Sequence, residues 1–181
     1  MPDANITKKA LATSMKKLMK DKAFDKISVI DICEGCGMNR KSFYYHFKDK
    51  YDLVNWIFYT EFITLASSKS FDSGWDLVKL VVELFYEDRD FYRSALEITG
   101  QNSFWDYFYE STIPIFSLFI GDLDEDAAKM NTHYISDAFL VIMHRWLEND
   151  DGTTPEEMVA KMRNVIVTLS GKIVGMDKKQ A

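Results

Sequence analysis

Between residues 28 and 50 the chain carries helix start and stop signals so closely spaced that only two very short helices and a tight turn fit there. Ser28 followed by Asp31 has the spacing of an N-cap and its reciprocal partner, and Val29, Ile32 and Cys33 give the segment one apolar face. Gly35 and Gly37, on either side of Cys36, end that helix, and Asn39 is placed to cap the next. The second segment is unusual for a helix that packs in a core. Arg40, Lys41, Ser42, Tyr44, Tyr45 and His46 all carry hydrogen-bond donors, while only Phe43 and Phe47, four apart, form an apolar stripe. Two short helices of this kind make a helix-turn-helix, whose second helix fits the major groove of DNA.

A longer helix is expected before this pair. Thr7 is a candidate cap, Ala10, Leu11, Ser14, Met15 and Leu18 recur at helical spacing, and Phe24 and Ile27 close over the resulting three-helix core. The net charge of −6 argues at first against a polyanionic partner. Its distribution reverses that inference. The first 50 residues hold 11 Lys or Arg and 6 Asp or Glu, a balance of +5, which leaves 11 basic and 22 acidic residues, a balance of −11, for the rest. A basic module of the right size for DNA is thus joined to an acidic body.

The remainder reads as helix throughout. Three prolines and eight glycines in 181 residues, with apolar residues at three- and four-residue spacing, predict an all-α chain. A content of 47% hydrophobic and 14% aromatic residues suffices for a buried core. Residues 51–67 form an expected fourth helix, with Leu53, Val54, Ile57, Phe58 and Phe62 inward, joining the basic module to the body. Helices follow over 72–86 and 88–98, and Asn102 starts another that carries Phe104, Trp105, Tyr107, Phe108 and Tyr109. Pro114 is expected to kink or divide that helix, leaving 115–120 as its second part. A long helix begins at Asp124 or Glu125 and runs to about Asn149. Thr154, Pro155 and Glu157 then mark a clear helix start, followed by a stripe of Val159, Met162, Val165, Ile166 and Leu169. No run of about 18 apolar residues and no basic-then-apolar leader is present, so neither a membrane span nor a secretory signal is expected, and the cytoplasm is the default location.

The run ISVIDICEGCGMNRKSFYYHFKDKYDLVNWIF resembles the N-terminal domain of TetR-type transcriptional regulators, without gaps, over about residues 7 to 62. The segment DKYDLVNWIF, with GQNSF at residues 100 to 104, is also similar to a subgroup related to regulators of dihydroxyacetone kinase operons. The resemblance implies an N-terminal three-helix DNA-binding domain over residues 1–50 and a C-terminal helical ligand and dimerisation domain over 51–181. It implies a homodimer assembled through the last two helices as an antiparallel pair, a double-stranded DNA operator as partner, and no cofactor. Such a chain is expected to be a repressor controlled by a small-molecule effector in the C-terminal domain. The alternative is a regulator or activator controlled by a protein co-regulator docking there, with no small-molecule pocket.

The candidate DNA-facing residues are Ser28, Asn39, Arg40, Lys41, Ser42, Tyr44, Tyr45, His46 and Lys50. Asn39, at a helix N-terminus, is placed to meet a phosphate, and Arg40, Lys41 and Ser42, on the first exposed turn, to reach base edges. By analogy with the family, Tyr44, Tyr45 and His46 touch phosphates or a thymine methyl and Lys50 meets the DNA backbone. Phe104 to Tyr109 is the place to look for an effector pocket, although aromatic stripes more often fill a core. Cys33 and Cys36 form a lone C-x-x-C outside any redox or zinc context and are expected to pack between helices. His133 and His144, 11 residues apart on one helix face, lie about 16 Å from each other, too far to share a metal. His133 with Asp137 has the spacing of a hydrogen-bonded pair. No phosphate loop, nucleophile elbow or metal-ligand cluster marks the chain as an enzyme.

Overall fold

The computed structural model describes residues 2–117, 124–149 and 151–177, with the side chains of 2–4 and 169–177 excepted. Among the described residues all regular structure is helical. Helix α1 spans Pro2–Asp21, and a single 3-10 turn, Phe24–Lys26, leads to α2 (Val29–Glu34) and α3 (Arg40–His46). Thr7, expected as the cap of α1, lies inside it; the helix starts at Pro2, whose fixed φ and missing N–H suit a first helical position. Leu11, Met15, Met19, Phe24, Ile27, Ile32, Cys33, Phe43 and Phe47 are buried and form the core of this head.

Helix α4 carries the chain out of the head. It is α-helical over Lys50–Phe58, passes through a π turn at Tyr59–Ile63, and closes as α-helix over Thr64–Ser67. Its buried residues Leu53, Val54, Ile57, Phe58 and Phe62 make the cores of head and body one continuous cluster. In the body follow α5 (Gly74–Glu87), α6 (Arg89–Leu96), α7 (Phe104–Ser117), α8 (Glu125–Glu148) and α9 (Pro155–Asp177). Ser103 rather than Asn102 caps α7, accepting from the Asp106 amide at 3.1 Å, while Asn102 takes a positive φ of 65° in the turn before it. Pro114 falls within the last turn of α7 and does not divide it among the described residues; the expected second part, 115–120, lies largely outside them.

Rings fill the body's centre. Phe85 stacks on Tyr92 at 4.1 Å and Phe104 on Phe108 at 5.8 Å, and Phe58 from α4 inserts edge-on among them. Arg89 ties the start of α6 to the end of α8, donating to the carbonyls of Leu147 at 3.2 Å and Trp146 at 3.0 Å, where a cation meets the negative end of the helix. The final two helices are not each other's main partners. α8 packs on α7 and α6, and α9 packs on α5, because Met158 and Met162 carry its buried side. The exposed side of α9 presents Val165, Ile166 and Val167, each more than half exposed.

Candidate nucleic-acid interface

The helix-turn-helix is held by reciprocal caps. Ser28 Oγ accepts from the Asp31 amide at 3.2 Å, and an Asp31 carboxylate oxygen accepts from the Ser28 amide at 2.7 Å and its hydroxyl at 2.6 Å. Those bonds hold the Asp31 carboxyl below its ordinary value of 3.8. After α2 the Met38 amide turns back to the Cys33 carbonyl at 2.8 Å, a reversal that places Gly37 at φ +68°, where a side chain would be strained. Gly35 meets a different constraint: a Cβ there would collide with Ser14 Oγ, which donates to the Ile32 carbonyl at 2.7 Å and docks α2 on α1. Cys33 and Cys36 are free thiols, raised above their ordinary value chiefly by burial, and Cys36 Sγ leans on the Ile32 carbonyl.

Asn39 Oδ1 accepts from the Ser42 amide at 2.9 Å and Ser42 Oγ at 3.3 Å, so the cap consumes its carbonyl and leaves its amide NH2 facing outward, and Ser42 turns back to the cap. Phe43 and Phe47 are buried, which fixes the helix by one seam. Beside that seam Arg40 is exposed and Tyr44 half exposed, and opposite it Lys41 is exposed and Tyr45 is 81% exposed. Arg40 lies 5.8 Å over the Tyr44 ring, and Tyr45 meets His46 edge-to-face at 4.8 Å. No acidic residue occurs in α3.

Lys50 departs from expectation. Its ammonium donates to the carbonyls of Phe24 at 2.7 Å and Ile27 at 2.9 Å and lies 4.2 Å over the Phe24 ring. Burial lowers its pKa from 10.5, with Asp25 opposing the shift. In this arrangement its ammonium clamps the 3-10 turn to α4, sharing the Phe24 carbonyl with the Ile27 amide, which donates to it at 3.0 Å. Lys48, which no spacing signal in the sequence singles out, is exposed at the α3–α4 corner and has no ion-pair partner among the described residues. Between the two lysines Asp49 caps α4, accepting from the Asp52 amide at 2.9 Å.

The expected effector region is filled. Phe104 and Phe108 are buried, and the apolar crevice lined by Phe62, Val78, Phe108, Thr112, Phe116 and Phe139 measures about 10 Å³, room for one water at most. His133 pairs with the Tyr109 hydroxyl at 2.6 Å, not with Asp137, and His144 faces Glu148 at 3.6 Å and Trp105. No group of three metal-ligating side chains occurs among the described residues. Nor is any helix among them long and apolar enough to cross a membrane.

Residues 13–57 match the family of bacterial regulatory proteins known as tetR, and residues 75–168, more than half of the chain, match the C-terminal region of a transcriptional regulator of the same family. The chain belongs to the TetR family. As a TetR-family transcriptional regulator it is not an enzyme. It is similar to the HTH-type dhaKLM operon transcriptional activator DhaS of Lactococcus lactis, 28% identical over 102 residues, which are 56% of this chain and 54% of that protein. The matched stretch thus spans about half the length of that curated relative. Among solved structures, the dihydroxyacetone kinase operon activator DhaS shares the TetR-like fold with a TM-score of 0.70 at 22% identity, over 91% of this chain and 96% of its own. A TetR transcriptional regulator from Streptococcus agalactiae follows at 0.68 and 17%, over 88% and 93%. NalD, the secondary repressor of the MexAB-OprM multidrug efflux pump in Pseudomonas aeruginosa, gives 0.60 and 18%, over 91% and 97%.

Proposed function

We propose that this TetR-family regulator binds a double-stranded operator as a homodimer, with residues 1–50 as the reading head and 51–181 as the assembly and control domain. The observation that carries the reading is α3: a helix seated by Phe43 and Phe47 that turns Arg40, Lys41, Tyr44 and Tyr45 outward on a head of charge +5. Arg40 has the geometry for a bidentate guanine contact, Lys41 reaches the neighbouring base edge, and Ser42 supports both through the cap. Asn39, Ser28, Tyr45 and His46 position the helix on phosphates, with Lys48 in the role expected of Lys50. The exposed Val165–Val167 edge of α9 and Val141 and Ile142 of α8 supply the apolar surface for the second copy.

For control, the filled aromatic core favours a protein docking on the body over a small molecule held within that core, since drug-sized ligands occupy roughly 300–1,000 Å³, and the one concavity of that size described, about 600 Å³ between Lys20, Lys22, Arg93 and Glu97, is an open groove outside the core. The DhaS relative is named an activator and NalD a repressor, and either sign of control suits a head that binds DNA. Footprinting on the DNA flanking the chain's own coding region tests the reading. It should reveal two protected half-sites in inverted orientation, their centres roughly 34–36 Å or a multiple apart. Uniform or absent protection would remove the proposal.

A further inference from the structure

Four side chains away from the DNA-facing surface meet where head, α4 and body join. Lys16, towards the end of α1, bonds Glu61 Oε1 and lies 2.8 Å from Asp88 Oδ2, between α5 and α6. The Tyr92 hydroxyl of α6 donates to the other Glu61 oxygen at 2.8 Å. The lysine also covers the faces of Phe91 and Tyr92, at 5.0 and 5.8 Å from their centroids. These charges are largely withdrawn from water, with side-chain exposures of 19% for Lys16, 34% for Glu61 and 24% for Asp88. Burial, and then the Glu61 carboxylate, raises the Tyr92 hydroxyl well above its ordinary value, which keeps it a donor. Two carboxylates share one ammonium, so Lys16 is what allows Glu61 and Asp88 to face each other.

Glu61 sits in the middle of the π turn Tyr59–Ile63. Single π turns inside α-helices occur frequently at functional positions. Returning this one to α register would rotate the residues on one side relative to the other by about 100°, one residue's share of an α-helical turn. Glu61 would then no longer reach both Lys16 and Tyr92. The ion network and the π turn thus meet in Glu61.

We infer that Lys16, Glu61, Asp88 and Tyr92 are positioning residues that form a latch, holding the head at one angle on the body while residues 59–63 are π-helical. Opening the latch lets α4 rewind and releases the head to a second angle. The latch rests on the regulator reading only for its consequence at DNA; its geometry lies within one chain.

Spin labels at Lys26→Cys in the head and Lys129→Cys in α8, in a Cys33→Ala and Cys36→Ser background, report the angle when labelled chains are diluted with unlabelled protein. With the latch intact one narrow distance is expected. Glu61→Gln and Lys16→Met should each add a second distance, populated to the order of a tenth or more. Amide exchange over 59–67 and the end of α1 should rise about tenfold. A folded Glu61→Gln with one unchanged distance and unchanged exchange overturns the latch, since a merely structural ion pair would lower the melting temperature and leave the angle alone. Should Glu61→Gln not fold, Tyr92→Phe, which deletes one hydroxyl, takes the same two measurements, and no change in either overturns the latch equally. Neither readout involves DNA, so loss of the regulator reading would show separately, as absent operator binding.

Discussion

A guanidinium 5.8 Å above the Tyr44 ring gives the exposed Arg40 a partner on its own helix, and in the proposed complex its planar fork meets a guanine edge. Arg40→Ala should therefore cost about 1–3 kcal/mol on the preferred operator and relax selectivity at one base pair. A panel of single-base operator variants checks this, and an equal loss on all of them would contradict a base-reading role. The two lysines beside Asp49 are expected to separate, because only the Lys50 ammonium is engaged by backbone carbonyls. Lys48→Ala should weaken binding to every sequence and lower the salt slope by about one. Lys50→Ala should leave the slope alone and cost about 1–3 kcal/mol of stability, by taking the ammonium from the Ile27 carbonyl and leaving the Phe24 carbonyl to the Ile27 amide alone, as urea unfolding would register. Asp31 adds a pH signature. Its carboxyl is held below 3.8 in the folded chain, so the stability it supplies is full above that pH and drains as pH falls through the lowered value. Asp31→Asn should flatten the acid limb of the melting curve, and an unchanged limb would show the capping box to be idle.

At the scale of elements, α2 depends on a close approach. Gly35→Ala drives a Cβ into Ser14 Oγ and should destabilise the head by roughly 1–3 kcal/mol, whereas adding Ser14→Ala should recover part of the loss. Strict additivity of the two substitutions in urea unfolding would contradict that contact. Such elements were legible in the sequence where their cause is local. Ser28, Asn39, Asp124 and Thr154 all cap helices as their spacing indicates, because each bond spans three residues. The π turn was not legible. Residues 59–63 contain no breaker, and the partners that hold Glu61 are 45 and 31 residues away. The direction of Lys50 was hidden for the same reason, since the carbonyls it bonds lie 26 and 23 residues back in the chain. Phe104 and Phe108 were visible as an aromatic stripe, but only packing distinguishes a stripe that lines a cavity from one that fills it.

For the whole molecule, an acidic body joined to a basic head suits the proposed division of assembly from recognition. A single head offers too few contacts for strong selectivity, and a two-fold pair matches a palindrome. The exposed apolar edge of α9 is where that pairing is expected, so Val165→Glu should shift the chain to monomer in sedimentation and weaken operator binding while leaving the head folded. A dimer that survives this change places the interface elsewhere. The central claim, that α3 reads DNA sequence, is tested most directly by fluorescence-anisotropy titration of the intact protein against DNA flanking its own coding region and against a scrambled duplex, at several salt concentrations. The account predicts tighter binding to the flanking DNA at every salt, by about 10³-fold or more, with both affinities falling as salt rises. Equal affinity for the two duplexes across the series would contradict it.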